Sequence, residues 1–264
     1  RVAQIKKTYS DNIKWRYTFL DLNGLFARLA RIKELNGVIR NKDGTLMFQS
    51  DLRDATSLGV LNNNVDQLNQ LSRWVTSNGM SFLYVQSPSK LSLKKDTTLY
   101  PITYTFNDFV DDFIAKFDSS IEVLDLRPYL SADRTAIKRY FYPTDHHWNS
   151  DGAFFAYQRL VERLQVLCGK PLIEEMIEVQ EASWQRCVIP NWWLGSVGRR
   201  VGCWYGGGLD DLIYHTPMFE TEMSLSIPSM GIFRNGQFEE AVFDQRHLAP
   251  RKNYYKENPY ALYV

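Results

Sequence analysis

Two of the chain's four histidines stand beside a carboxylate in Thr144-Asp145-His146-His147-Trp148. On an extended segment, residues two apart project to the same side. Asp145 is then placed to accept a hydrogen bond from His147, fixing its tautomer and stabilising the imidazolium form. That is the orienter-and-base pair that activates a hydroxyl nucleophile. His146 points to the other face, as a structural or edge contact, and Trp148 is expected to pack beneath the loop. A metal site competes, because one Asp and two His are good ligand types. No second His or Cys cluster completes a shell, and Cys168, Cys187 and Cys203 fit no metal-ligand spacing, so neither metal nor cofactor is expected. A purely structural cluster is the third reading.

A serine is needed to complete the pair. Asp118-Ser119 falls where a helix ends and a strand begins, the wrong end of a strand for a nucleophile. Gly195-Ser196 follows Asn191-Trp192-Trp193 in what reads as a loop with no strand before it, and Ser196 is the candidate nucleophile within the chain. Ser87 and Ser89 sit in a post-strand turn whose amides could hold an oxyanion, although a plain β-α connection explains them equally well. Lys90 is expected to pack or to pair with an acid. Trp192 and Trp193 could form a sugar-stacking platform, and Arg199 and Arg200 could hold an anionic polymer.

The elements that must position these residues follow from periodicity. Residues 11–35 carry a broken helical pattern of Ile13, Phe19, Leu20, Leu25, Phe26, Leu29 and Ile32. Gly37–Arg40 and Thr45–Phe48 bracket Asn41-Lys42-Asp43-Gly44, a hairpin in which Asp-Gly supplies positive φ. Leu61, Val65, Leu68, Leu71 and Val75 predict a helix ended by Gly79, and Phe82–Val85 a buried strand. The unit repeats, with a helix through Phe106–Phe117 and a strand at Ile121–Leu124. Asn149 or Ser150 caps a third helix, with Asp151 in its first turn and Phe154, Tyr157, Val161, Leu164 and Leu167 as its apolar stripe. The alternation predicts a parallel α/β sheet flanked by helices, with its site beyond the strands' carboxyl ends. From about 180 to 250, Trp184, Trp192, Trp193 and the glycines read as irregular loops. Runs at Ile232–Arg234 and Glu240–Phe243 around Asn235-Gly236 suggest a small antiparallel β insertion.

At 264 residues the chain fits one large domain with an insertion, and 31 Lys and Arg against 30 Asp and Glu leave no basic stripe for nucleic acid. Aromatics reach 14%, explained either by a large core or by sugar contacts. No apolar run has the roughly 20 residues of a membrane span. Cys187 and Cys203 could be bridged in an oxidising compartment, and free thiols fit as well.

The stretch Tyr142-Pro143-Thr144-Asp145-His146-His147-Trp148-Asn149, followed by Gly152-Ala153, resembles the signature of DHHW proteins, relatives of the AlgJ/AlgX-type SGNH-hydrolase-like polysaccharide O-acetyltransferases. Asn41–Phe48, the Pro88-Ser89-Lys90 turn, Val123–Arg127 and Leu194–Arg200 are similar to further family segments. The resemblance implies an SGNH-hydrolase-like (flavodoxin-like) fold and a Ser-His-Asp acyl-transfer site on the extracytoplasmic side of a membrane. It puts Asp145 at the orienter position and His147 at the base. It further implies a polysaccharide acceptor and a membrane acyltransferase that supplies acetyl. The family's nucleophile lies in a strand-to-helix turn C-terminal to the motif. No such turn is found here, so the serine is expected beyond Val264, in a domain truncated at its C-terminus. A non-catalytic polysaccharide-binding or assembly subunit with the same fold is the alternative.

Overall fold

The computed structural model describes residues 15–49, 58–90, 106–131, 136–171, 177–241 and 254–255. Ile13, Val242, Phe243 and the apolar run at 260–264 lie outside them. The chain divides into two compact units: one takes residues up to 47, 142–146 and 180 onward, the other 48–141 and 147–179.

The second of these carries the parallel pairing. Strands β4 (Leu83–Gln86) and β5 (Glu122–Asp125) run parallel, with Leu83 opposite Glu122 and Gln86 opposite Asp125. This pair is the extent of the parallel sheet among the described residues. Helix α2 (Leu58–Ser77) precedes β4 and ends at Gly79, whose φ of 74° only glycine adopts cheaply. Its buried face is more polar than the leucine pattern predicts. Val65, Asn69 and Ser72 are buried while Leu71 is exposed. The Asn69 amide donates to the Lys116 carbonyl and accepts from the Asp118 N–H, so a side chain takes up the backbone groups of the turn leading into β5. Asp118-Ser119 lies before β5, at its amino end. Helix α3 (Phe106–Ile114) presents Phe113, which with Phe117 packs around Tyr84.

After β5 come the short helices α4 (Arg127–Ser131) and α5 (Ala136–Tyr140), then α6 (Ser150–Cys168). Asn149 caps α6, its side chain accepting from the Gly152 N–H at 3.0 Å, as expected for an Asx N-cap. A Cβ on Gly152 would lie 2.6 Å from the Tyr140 carbonyl oxygen. Trp148 packs on Leu130, Ala136 and Phe141, and pairs with Phe141 in a single β-bridge.

In the other unit, α1 (Arg16–Leu29) leads to a three-stranded antiparallel sheet of β1 (Glu34–Leu35), β2 (Val38–Arg40) and β3 (Leu46–Phe48). Asn36-Gly37, both at positive φ, closes β1 on β2 as a two-residue hairpin turn. In the second turn Gly44 alone takes positive φ, while Asp43 accepts from the Thr45 N–H and hydroxyl.

The segment read as Trp-rich loop is instead β6 (Trp184–Trp193), antiparallel to β7 (Asp210–Pro217). Pro190 and Asn191, at φ 52°, interrupt its register, and those residues conceal the strand in the sequence. Strand β8 (Met223–Ile227) pairs antiparallel with β9 (Ile232–Gly236), giving the antiparallel insertion. Its partners differ from the expected ones, because after Gly236 the chain turns into α7 (Phe238–Ala241) rather than a strand. Glu240 reaches back to the Gln237 N–H there and favours the helical turn. Tyr142, Trp192, Trp193, Leu212 and Phe238 form one core cluster, and Leu194, Cys203 and Tyr255 another. All three cysteines are free thiols, so Cys187 and Cys203 are not bridged.

Candidate active site

The Asp-His-His segment is not extended. The Asp145 N–H bonds to the Tyr142 carbonyl, closing a turn, and residues 143–147 continue as turn and bend. The premise that residues two apart share a side therefore fails here. Asp210, buried at the start of β7, accepts from the Thr144 N–H at 3.0 Å and the Thr144 hydroxyl at 2.8 Å. The same hydroxyl accepts from the Gly195 N–H at 2.7 Å, and the Thr144 carbonyl accepts from the Gly198 N–H at 2.9 Å. Thr144 is thus held on three polar groups, and the turn is carried to the end of β6.

Gly195 makes that approach possible. A Cβ there would lie 2.4 Å from the Thr144 oxygen and 2.6 Å from the Asp145 Cβ. With the backbones so close, the Ser196 N–H donates to Asp145 Oδ2 at 2.5 Å. Asp145 is 2% exposed. A buried charge needs such partners to stay charged, and main-chain donors supply them without side-chain entropy loss.

His146, expected to face away, instead brings Nδ1 within 3.0 Å of Ser196 Oγ and 3.5 Å of Asp145 Oδ1. One nitrogen facing both groups cannot relay a proton between them, since a triad needs the orienter and the nucleophile on opposite ring nitrogens. Ser196 does have a strand directly before it, β6, and a turn of 3-10 helix at Gly198–Arg200 after it. His147 is exposed and belongs to the other unit. Asp145, His146 and His147 together are a group that could hold a cation. The Asp145 oxygen Oδ2 already accepts from Ser196, which narrows what it can offer an ion.

The expected sugar platform is not formed, because Trp192 and Trp193 are 6% and 2% exposed. They are the buried last two residues of β6, and Trp193 meets Tyr142 edge-on at 5.0 Å between ring centroids. Arg199 Nε donates to the Leu194 carbonyl, and Arg200 is exposed. Both line a groove of about 540 Å³ with Arg16, Phe19, Leu20, Asn23 and Asn36. Ser87 and Ser89 do fall in the turn after β4, where Gln86 donates to the Ser87 carbonyl and Lys90 is buried.

The model of the family described as "SGNH hydrolase-like domain, acetyltransferase AlgX" matches residues 38–186. The chain belongs to that family. The matched stretch contains the Asp145 turn and stops before Ser196. Among solved structures, the AlgX-type fold is shared with Bacillus cereus PatB1, at a TM-score of 0.59 and 18% identity over 82% of this chain and 70% of that one. A PatB1 structure carrying a sulfonyl adduct gives 0.58 and 20%, over 82% and 67%. The O-acetyltransferase domain of Pseudomonas putida AlgJ gives 0.53 and 16%, over 68% and 64%. No curated protein sequence matches the chain.

Asp210 is the functional-site residue that sequence reasoning missed. It stands 66 positions from Thr144, and a carboxylate after a glycine run carries no local signal of its partner.

Proposed function

We propose that this AlgX-type domain, of the DHHW kind, transfers acetyl through a serine to a hydroxyl of a cell-surface or secreted polysaccharide, with water as the competing acceptor. The serine hydroxyl attacks the acyl carbonyl while His147 takes its proton and passes it to the departing donor. The sugar hydroxyl then attacks the acyl-serine, and its proton returns through His147 to the serine. Asp145 orients His147 and stabilises its charged form, and backbone N–H groups hold the tetrahedral oxyanion. The reaction takes place on the extracytoplasmic side, supplied with acetyl by a membrane acyltransferase.

The observation that supports this reading best is the fixed carboxylate. Asp145 is buried and bound by the Ser196 N–H, while His147 beside it in the chain is exposed to an incoming acyl group. Ser196 enters as a positioning residue, and the nucleophile is another serine C-terminal to Trp148. The burial of Trp192 and Trp193 weakens one of the two features, beside the missing serine turn, that favoured a non-catalytic sugar-binding subunit.

The test is intact-mass spectrometry of the full-length protein after incubation with p-nitrophenyl acetate, followed by peptide mapping. The expected result is one acetyl group on a serine other than Ser196, lost in His147→Ala and retained in Ser196→Ala. An unmodified full-length protein, or an adduct mapped to Ser196, contradicts the proposal.

A further inference from the structure

Helix α1 is turned inside out relative to an ordinary amphipathic helix. The residues it buries are Asp21, Gly24 and Ala27, while Phe19, Leu22, Phe26 and Leu29 are 63%, 44%, 68% and 69% exposed, with Trp15 before them at 62%. At 3.6 residues per turn those five positions fall within a stripe about 80° wide, opposite the buried face.

The buried side is fully specified. A Cβ on Gly24 would lie 2.3 Å from the Val201 carbonyl oxygen. The Asp21 carboxylate accepts from the Cys203 N–H and from the hydroxyls of Tyr254 and Tyr255. The helix cannot roll its large side chains inward without breaking those contacts. Contiguous exposed apolar stripes of this kind mark interaction surfaces.

The charge around the stripe selects the partner. Asp21 is the acid of α1, and it is buried, its carboxylate turned away from the stripe and held by the Cys203 N–H and the Tyr254 and Tyr255 hydroxyls. Arg16 lies in α1 and Arg31 and Lys33 follow it in the chain, all three exposed, and Arg16, Arg199 and Arg200 line one groove with Phe19 and Leu20. Aromatic and leucine side chains flanked by arginines are the composition of a helix lying in the headgroup region of an anionic bilayer. A second copy fits less well, since pairing would bring like charges together. The stripe also offers five side chains, against the roughly 20–30 residues a side of a standard subunit interface. We infer that α1 docks this domain on a membrane surface rich in anionic phospholipid, apolar stripe inward. The inference is independent of the acyl-transfer chemistry.

The experiment is co-sedimentation of the full chain with vesicles of equimolar phosphatidylglycerol and phosphatidylcholine, and with phosphatidylcholine alone. Partitioning is expected to be about tenfold or more stronger on the anionic vesicles, and to weaken at roughly 0.5 M NaCl, where screening is short-ranged. The triple variant Phe19→Ser, Phe26→Ser, Leu29→Ser should lose about tenfold or more of that binding while keeping its circular dichroism and Tm, because the positions are exposed. Arg16→Gln with Arg200→Gln should lower the anionic preference alone. A chain that stays in the supernatant with both vesicles overturns the proposal, as does a triple variant that sediments undiminished. A dimer in analytical ultracentrifugation that the triple variant abolishes, without vesicle binding, overturns it in favour of a subunit seam.

Discussion

Asp145 and Arg127 are both buried charges, one in each compact unit, and they are satisfied by opposite materials. The Asp145 carboxylate rests on the Ser196 main-chain N–H, in a turn held by Thr144, Gly195 and Asp210. Arg127, just past β5, rests on carboxylates: Nε and Nη2 reach Asp125 at 2.7–3.1 Å, Nη2 reaches Asp111 at 2.6 Å, and Nη1 donates to the Asn107 carbonyl. Hydrogen bonding to Asp125 raises the Arg127 pKa against the opposing effect of burial, so it stays charged at any ordinary pH. A carboxylate held by a rigid main-chain donor is preorganised for work on another group. A guanidinium saturated by its own acids has nothing left to offer a substrate, and pins the end of a strand.

Separating activity from stability sharpens the contrast. Asp145→Asn keeps an acceptor for Ser196 and should cost little stability, yet lower acyl-transfer kcat/KM by about 10³-fold or more, because the charge that stabilises imidazolium is gone. Arg127→Met should do the reverse. It should lose about 2 kcal/mol in urea unfolding, a figure reduced because Asp111 is 66% exposed and screened, with kcat/KM unchanged. If Arg127→Met abolishes activity while its Tm holds, the division of roles is wrong.

The scaffold of the Asp145 turn offers the next effects. Asp210→Ala strips the Thr144 N–H and hydroxyl of a charged acceptor and should cost about 3 kcal/mol, read by denaturant midpoint. Gly195→Ala forces the Thr144 and Asp145 backbone away, and should cost about 1–3 kcal/mol together with activity.

These two residues also mark where the sequence stops being legible. The Asn149 cap and the strand-helix alternation through 168 are local patterns, and they appear where periodicity places them, whereas the Asp-His-His-Trp motif is legible as a motif but not as the turn it forms. The α1 helix is legible as a helix but not as to which face it buries, since Asp21 is satisfied by tyrosines far along the chain. Strand β6 is hidden by Pro190 and Asn191, and its role depends on pairing with β7. Likewise the contacts Asp210–Thr144 and Ser196–Asp145 join positions more than 50 apart, and no composition signals them.

Smaller effects complete the comparison. Burial pushes the Cys203 thiol up to about 12, so iodoacetamide at about pH 8 should alkylate exposed Cys168 and leave Cys203 untouched in the folded protein. The raised pKa also fixes the sign of a stability change. The unfolded chain's thiol ionises near 9.0 and the folded one does not, so the contribution is complete below that pH and is lost as pH rises towards about 12. Asn149→Ala should cost about 1 kcal/mol by removing the cap of α6, seen as a small drop in Tm.

The most direct test of the account compares two neighbouring histidines. Steady-state turnover of p-nitrophenyl acetate by the full-length protein should fall about 10³-fold or more in His147→Ala, and less than about tenfold in His146→Ala. The reverse order, with His146→Ala inactive and His147→Ala near normal, would contradict the assignment of His147 as base and point to the His146–Ser196 pair instead.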